Sequence, residues 1–397
     1  MTDNNSHTAS SSSLPPSDWV ETTLGEVIDF VVDNRGKTPP LVESGYELLE
    51  VNAISDNARE PDYSKVSKFV DEEVFTNGFR KGTIKKGDVL IPTVGTIGNA
   101  SYSKLDRGAI AQNLIALRAN NQNDSLFLYY FLTDPNTKKA LLNLDIGGVQ
   151  PSIKVPHLLG MQVVFPPLLE QQAIASVLSA FDEKIELLRE QNKTLEEMGQ
   201  VIFQEWFGKY GVDNELPDGW RVGKLGEELN IKQGKYVKAE NLSEIQTEDK
   251  KYPIYGGSGI RGYIEDFMYE KPIVVLTCRG NGCGLIQFSK EKSSITNSCM
   301  AFENMGSFLS SEFIYFLSKK IDFESVTSGS AQPQITVTNL YNLEIIIPDQ
   351  ETLKQFDEAI LPIFAKIRDN SEQIQSLARS RDELLPRLMS GQQRVKL

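Results

Sequence analysis

The chain has 397 residues, enough for two or three domains that each bury a full core, and its 40% hydrophobic and 24% charged residues are ordinary for a globular protein. No apolar run approaches the roughly 18 residues of a membrane helix. Two histidines and the three cysteines Cys278, Cys283 and Cys299 give neither a two-cysteine, two-histidine zinc site nor a complete disulfide framework, so no metal, no membrane and a cytoplasmic setting with reduced thiols are expected.

The net charge of −13 argues at first against nucleic acid. It is unevenly spread: about −5 falls on residues 166–213, about −3 on 20–165, about −2 on 216–347, and 348–397 is near zero. DNA binding by this chain alone is therefore expected to be modest and salt-sensitive, with tight binding requiring a partner that adds positive surface.

In chain order, residues 1–17 are rich in Ser, Asn and Thr, lack the basic and apolar stretches of a secretory signal, and are expected to form a disordered tail. A repeated frame follows. Leu14 leads to Trp19 and Leu24-Gly25-Glu26; Leu216-Pro217-Asp218-Gly219-Trp220 leads to Leu225-Gly226-Glu227. Gln150-Pro151-x-Ile153, with Leu158, Val164 and Pro166, returns as Gln332-Pro333-x-Ile335 with Leu340, Ile346 and Pro348. Between these landmarks the two blocks are dissimilar and the second is shorter. Residues 18–165 and 211–347 are expected to be two α+β domains with curved sheets. Their β runs include 87–91, 109–111 and 272–276; short helices are expected near 125–133 and 310–319, and closing strands at 161–165 and 343–347.

Each block is followed by a helical pattern, over 166–210 and 348–397. In the first, Leu178, Phe181, Ile185, Leu188 and Leu195 recur at threes and fours, with Asn192 at a seam position that in coiled coils fixes register. In the second, Ile363, Ile367, Ile374 and Leu377 recur, interrupted by Asn370 and Arg381. Forty helical residues span about 60 Å, more than one compact block can cover, so the helices are expected to pair antiparallel. This gives a pseudo-two-fold repeat. Val177, Ile174 and Phe203, with the acidic face of the first helix, are expected to point outward toward a partner.

Catalytic motifs are weak. Thr38-Pro39-Pro40-Leu41 and Phe165-Pro166-Pro167-Leu168 lack the polar leader and aromatic of an adenine methyltransferase loop, and no phosphate loop of the G-x-x-x-x-G-K-[ST] type occurs. Pro217-Asp218 with Glu248-Asp249-Lys250 formally matches a metal-nuclease pattern, but so short a pattern recurs by chance. No catalytic residue is expected.

Polar, glycine-rich loops at matched places remain. Thr93, Thr96 and Asn99 lie in one, Arg279 and Asn281 in the other. Such loops serve either as tight turns needing positive φ or as surfaces that bring backbone N–H groups to phosphates. Arg35, Lys37 and Thr38 in the first block, and Lys235, Tyr236, Ser258 and Arg261 in the second, add donors suited to phosphates and base edges. Lys81, Lys85 and Lys86 suit phosphate contact or solvated surface equally.

The duplicated Trp-centred opening, Gly147-x-x-Gln150-Pro151-Ser152-Ile153, and Pro166-Pro167-Leu168-x-Glu170-Gln171-Gln172 together resemble the specificity subunit of Type I restriction–modification enzymes over residues 14–391. The second copy is looser, with Pro348-Asp349-Gln350-Glu351 in place of the Pro-Pro-Leu-x-Glu-Gln stretch. The resemblance implies two target-recognition domains that each read half of a split double-stranded DNA site, with the helices as a spacer. It implies no enzymatic activity in this chain. It also implies two methyltransferase (modification) subunits using S-adenosylmethionine, and restriction/translocase subunits using ATP and Mg. The alternative is a coiled-coil scaffold without DNA readout.

Overall fold

The computed structural model describes residues 16–36, 38–55, 58–145, 151–280, 282–306, 308–329 and 333–396. The expected tail thus lies outside the described residues except for Pro16 and Ser17. The fold is α+β and divides into two compact units, Met1–Leu188 with Glu372–Leu397, and Arg189–Ser371.

In the first unit, strands Ile28–Val32, Leu114–Ala119, Val89–Pro92 and Ser101–Tyr102 form a four-stranded antiparallel sheet in that spatial order. A register shift between Ile28 and Phe30 adds local twist. A three-stranded sheet places Tyr46–Leu49 between Phe69–Val70 and a parallel partner, Ala109–Ile110. Val20–Thr23 pairs antiparallel with the closing strand Gln162–Phe165. Helix Ser125–Thr133 starts at Asp124, whose carboxylate accepts from Phe127 N at 2.8 Å. Its Phe127, Leu128 and Tyr130 are buried with Val89, Ile115 and Leu117 in one apolar core.

The second unit repeats this topology. Leu229–Gln233, Cys299–Asn304, Val274–Thr277 and Ile286–Phe288 form the four-stranded sheet, and Tyr252–Gly256 lies between Gly259–Ile264 and a parallel Ser294–Ile295. Arg221–Lys224 pairs with the closing strand Glu344–Ile347. Helix Ser311–Lys320 is capped by Ser310, which accepts from Phe313 N at 3.1 Å.

The long helices run over Leu168–Phe207 and Gln350–Met389. Their pairing is antiparallel. Within the first unit Asp182 meets Arg381; within the second, Asn370 Nδ2 donates to Asn192 Oδ1 at 2.9 Å and Asn192 Nδ2 to Ser371 Oγ at 3.3 Å. The polar interruptions of the two seams are thus each other's partners. Leu178, Ile185, Leu188 and Ile363 are buried; Phe181, Leu195, Ile367, Ile374 and Leu377 are half-buried.

The helix ends differ from expectation. Ile174, Ala175 and Leu178 enter the core of the first unit with Leu385 and Leu388, while Phe203, Phe207, Phe356 and Ile360 enter that of the second. Ile174 and Phe203 are therefore core residues, one in each unit, and Val177 packs half-buried against the core of the first, so none of the three is an outward docking position. The bulky apolar ends find cover on the blocks, and helix-to-helix packing is left for the middle. Gly199 lets the first long helix lie close against the short helix Ser311–Lys320: a Cβ there would stand 2.5 Å from Phe316 Cζ.

Candidate nucleic-acid interface

Each unit is opened and closed by the same bonds. Trp19 N donates to Pro16 O and Trp220 N to Pro217 O, both at 3.0 Å; Leu24 N reaches Met161 O and Leu225 N reaches Leu343 O. Trp19 Nε1 donates to Glu170 at 3.2 Å and Trp220 Nε1 to Asp349 at 2.9 Å. Asp349, which breaks the sequence repeat, therefore takes the place of Glu170, and it also accepts from Glu351 N and Thr352 N. Those donors hold its carboxyl below the usual range, the Thr352 bonds first among them.

The glycine-rich loops are latched by the repeated Pro-x-Ile segment. Ile153 N donates to Thr93 O at 2.9 Å and Gly95 N to Pro151 O at 3.0 Å. In the second unit Ile335 N donates to Cys278 O at 3.0 Å and Gly280 N to Pro333 O at 3.3 Å. A third loop joins each latch, through Thr93 N to Asn113 O and Cys278 N to Ser298 O. Gly95, Gly98, Gly280 and Gly284 have φ between 83° and 93°, so the tight-turn role is real at these positions.

In the second unit the neighbouring loops gather around this latch. Lys235 bridges to Thr296 through the backbone, Gln233 Nε2 donates to Asn297 O, and Thr277 Oγ1 donates to Gly257 O. Lys235, Tyr236, Ser258, Arg261 and Arg279 are all exposed, Tyr236 at 72%. Asn281 lies outside the described residues.

In the first unit Arg35 and Lys81 line a cleft of about 840 Å3 with Asn34, Phe79 and Arg80. Thr38 borders an adjoining hollow with Gln112 and Asn113, and Gln112 Nε2 donates to Thr38 Oγ1 at 2.8 Å. Arg35 is held by Asp33 in two bonds of 2.8 and 2.6 Å; this contact keeps the Asp33 carboxyl below its ordinary range. Lys81 lies over the Phe30 ring. Thr96 is exposed and Asn99 half-buried. Thr93 departs from the expectation: it is only 2% exposed, because the latch turns it inward. Lys37 lies outside the described residues.

Sequence reasoning passed over Gln112, Asn113, Asn297 and Arg80. The signal for Gln112 and Asn113 was a polar pair directly after the β run Ala109-Ile110-Ala111, and for Asn297 the pair Thr296-Asn297 after Ser294-Ile295; Arg80 follows no strand.

The two buried thiols, Cys278 and Cys299, are not poised for chemistry. All three cysteines are free, and burial pushes Cys278 up to about 11 and Cys299 in the same direction. Lys250, from the formal nuclease pattern, spends its ammonium on the carbonyls of Glu240 and Leu242. Among the described residues no group of three or more His, Cys, Asp or Glu could hold a metal ion, and no helix is long and apolar enough to cross a membrane.

Residues 16–197 and 217–378 match the family described as the Type I restriction modification DNA specificity domain. The chain is 28% identical over 352 residues to the Type I restriction enzyme MjaIX specificity subunit of Methanocaldococcus jannaschii, a match covering 79% of this chain and 81% of that one. It is 24% identical over 421 residues to the MjaVIII specificity subunit of the same organism, covering 96% and 94%. Among solved structures, the Type-I restriction-modification system S subunit from M. genitalium shares the fold, with a TM-score of 0.53 at 20% identity over 95% of this chain and 99% of that one. With both copies of its repeat matched, the chain belongs to the Type I restriction–modification DNA specificity family.

Proposed function

We propose that residues 18–165 and 211–347 each read one half of a bipartite double-stranded DNA site, that 166–210 and 348–397 set the gap between the halves, and that catalysis resides on other subunits. The chain is a non-catalytic specificity subunit of a Type I system. The partners that this reading proposes are two methyltransferase subunits carrying S-adenosylmethionine, and restriction/translocase subunits using ATP and Mg, in the cytoplasm.

One observation supports this reading most: two units share the same latched-loop backbone yet expose different side chains around it. Arg35, Thr38, Lys81, Arg80 and Gln112 face solvent or its clefts in one, and Lys235, Tyr236, Ser258, Arg261 and Arg279 in the other. A constant backbone with variable donors suits phosphate anchoring combined with base selection. For the methyltransferase subunits, Met198 and Val201 in the second unit, exposed by 49% and 60%, take over from Ile174, Val177 and Phe203 as docking positions.

Base-modification sequencing of DNA from cells that express the chain with its methyltransferase tests the reading. A methylated split motif with a fixed unspecified gap is the expected result. Absence of methylation, with a folded and co-purifying methyltransferase, would favour the scaffold. Shortening both helices by two matched heptads should change the gap by several base pairs, because the helix rises about 1.5 Å per residue and DNA about 3.4 Å per base pair.

A further inference from the structure

We propose that Arg279 is the residue that selects guanine in the half-site read by the second unit. The proposal rests on the bipartite-readout function above and sharpens it to one side chain and one base.

The two latches identify Arg279 by position. Val94 pairs with Ser152 and Arg279 with Gln334 in isolated antiparallel bridges. The residues before them, Thr93 and Cys278, are both buried and both donate N–H to the third loop; the residues after them, Gly95 and Gly280, both donate to a latch proline. Val94 and Arg279 therefore occupy one backbone site in two copies of the fold. Where the first unit carries a half-buried aliphatic side chain, the second carries an exposed guanidinium.

Among the described residues Arg279 has no hydrogen bond, ion pair or ring contact from its side chain. By contrast Arg35 is bound twice to Asp33, Arg118 twice to Asp88, and Arg107 to Glu47. The backbone beneath it is fixed by Gly280 N to Pro333 O, Ile335 N to Cys278 O and Cys278 N to Ser298 O. A planar fork of donors on a fixed base matches guanine O6 and N7, which accept two bonds side by side in the major groove. Lys235 and Arg261, exposed on adjoining loops, supply positive charge for the backbone of the same duplex. Val94, lacking donors, suits contact with a thymine methyl group.

The test uses the complex of the full chain with its methyltransferase. Arg279→Val and Arg279→Lys are compared with the unaltered chain by base-modification sequencing and by competition binding to duplexes varied one base pair at a time. Because the side chain is exposed and the latch is made by backbone, both variants should keep the native melting temperature. The unaltered complex should prefer guanine at one second-unit position by roughly 5- to 140-fold over other bases, the ratio expected of one bidentate pair. Arg279→Val should bring that preference close to one, leaving the other half of the motif unchanged. Arg279→Lys should restore overall affinity but not the full preference, since an ammonium lacks the fork. Equal weakening on all duplexes with the motif intact would make Arg279 a phosphate contact and overturn the proposal alone. An unaltered complex without any split motif would overturn it together with the reading on which it rests.

Discussion

The two units are alike where the backbone bonds to itself and unlike where side chains meet solvent. Both order their four-stranded sheets the same way, insert a parallel strand into the smaller sheet, and latch a glycine-rich loop with a Pro-x-Ile segment. They hold their short helix to the first long helix with different chemistry. In the first unit Tyr130 donates to Asp182 at 2.6 Å, and Arg381 reaches the same carboxylate, which is buried. In the second, Tyr315 donates to Glu196 at 2.6 Å and Lys319 joins from a half-exposed position. The comparison teaches that the framework needs a tyrosine anchored on an acid of the long helix, while the remaining partner and its burial are free to vary.

Removing the two acids sharpens that contrast most strongly. Asp182→Ala leaves Arg381 without its buried partner and should destabilise the first unit by about 3–5 kcal/mol, read as a shift in its urea transition. Glu196→Ala should cost the second unit only about 1 kcal/mol, because Lys319 and Glu196 remain partly hydrated. Equal losses would mean that burial does not distinguish the two anchors.

Gly199→Ala comes next. The new Cβ meets the ring of Phe316, which is fully buried among Phe203, Tyr315 and Phe364. Overpacking should cost about 1–3 kcal/mol, against a helix-propensity gain of about 1 kcal/mol. A net gain in the urea midpoint would show that the ring yields.

The paired asparagines separate single from double changes. Asn192→Leu leaves the buried Asn370 amide without its acceptor and should cost about 1–3 kcal/mol, whereas Asn192→Leu with Asn370→Leu should be neutral or stabilising. A double variant as damaged as the single one would argue that the amide pair stabilises the fold on its own account.

The smallest expected effect is electrostatic. Burial raises the Glu312 carboxyl above its ordinary 4.5, with Asp357 adding to the rise and Arg368 opposing it. A carboxyl raised on folding favours the native state fully below its unfolded value, and loses that contribution as pH rises through the folded value. Glu312→Gln should therefore raise stability at neutral pH, with the gain vanishing below pH 4.5. Glu196 has the opposite sign. Burial opposes its ionisation, but bonds from Lys319 and Tyr315 hold it below 4.5, so its contribution is present above that value and fades as pH falls further.

Much of the frame was legible in the amino-acid pattern. The Trp-centred openings, the closing strands and both seams follow from periodicity and punctuation, and Asn192, Asn370 and Arg381 stood out as polar residues in apolar rows. Their pairing did not, because neither helix carries the register of the other. Asp349 looked like a lapse in the repeat, yet a shorter acid one turn-start earlier can still reach an indole and two backbone amides. Ile174 and Phe203 were read as outward because a lone helix shows its face but not its neighbours. Thr93 was read as a donor because a polar residue after a strand looks exposed; the long-range bond from Ile153 turns it inward. Gln112 and Asn113 needed the folded loops to bring them beside Thr38 and Thr93.

Exchange of residues 20–150 for the matching block of another family member, followed by base-modification sequencing with the methyltransferase present, tests the central claim most directly. Independent reading by two units predicts a new first half, an unchanged second half and an unchanged gap. A motif altered in both halves would contradict it.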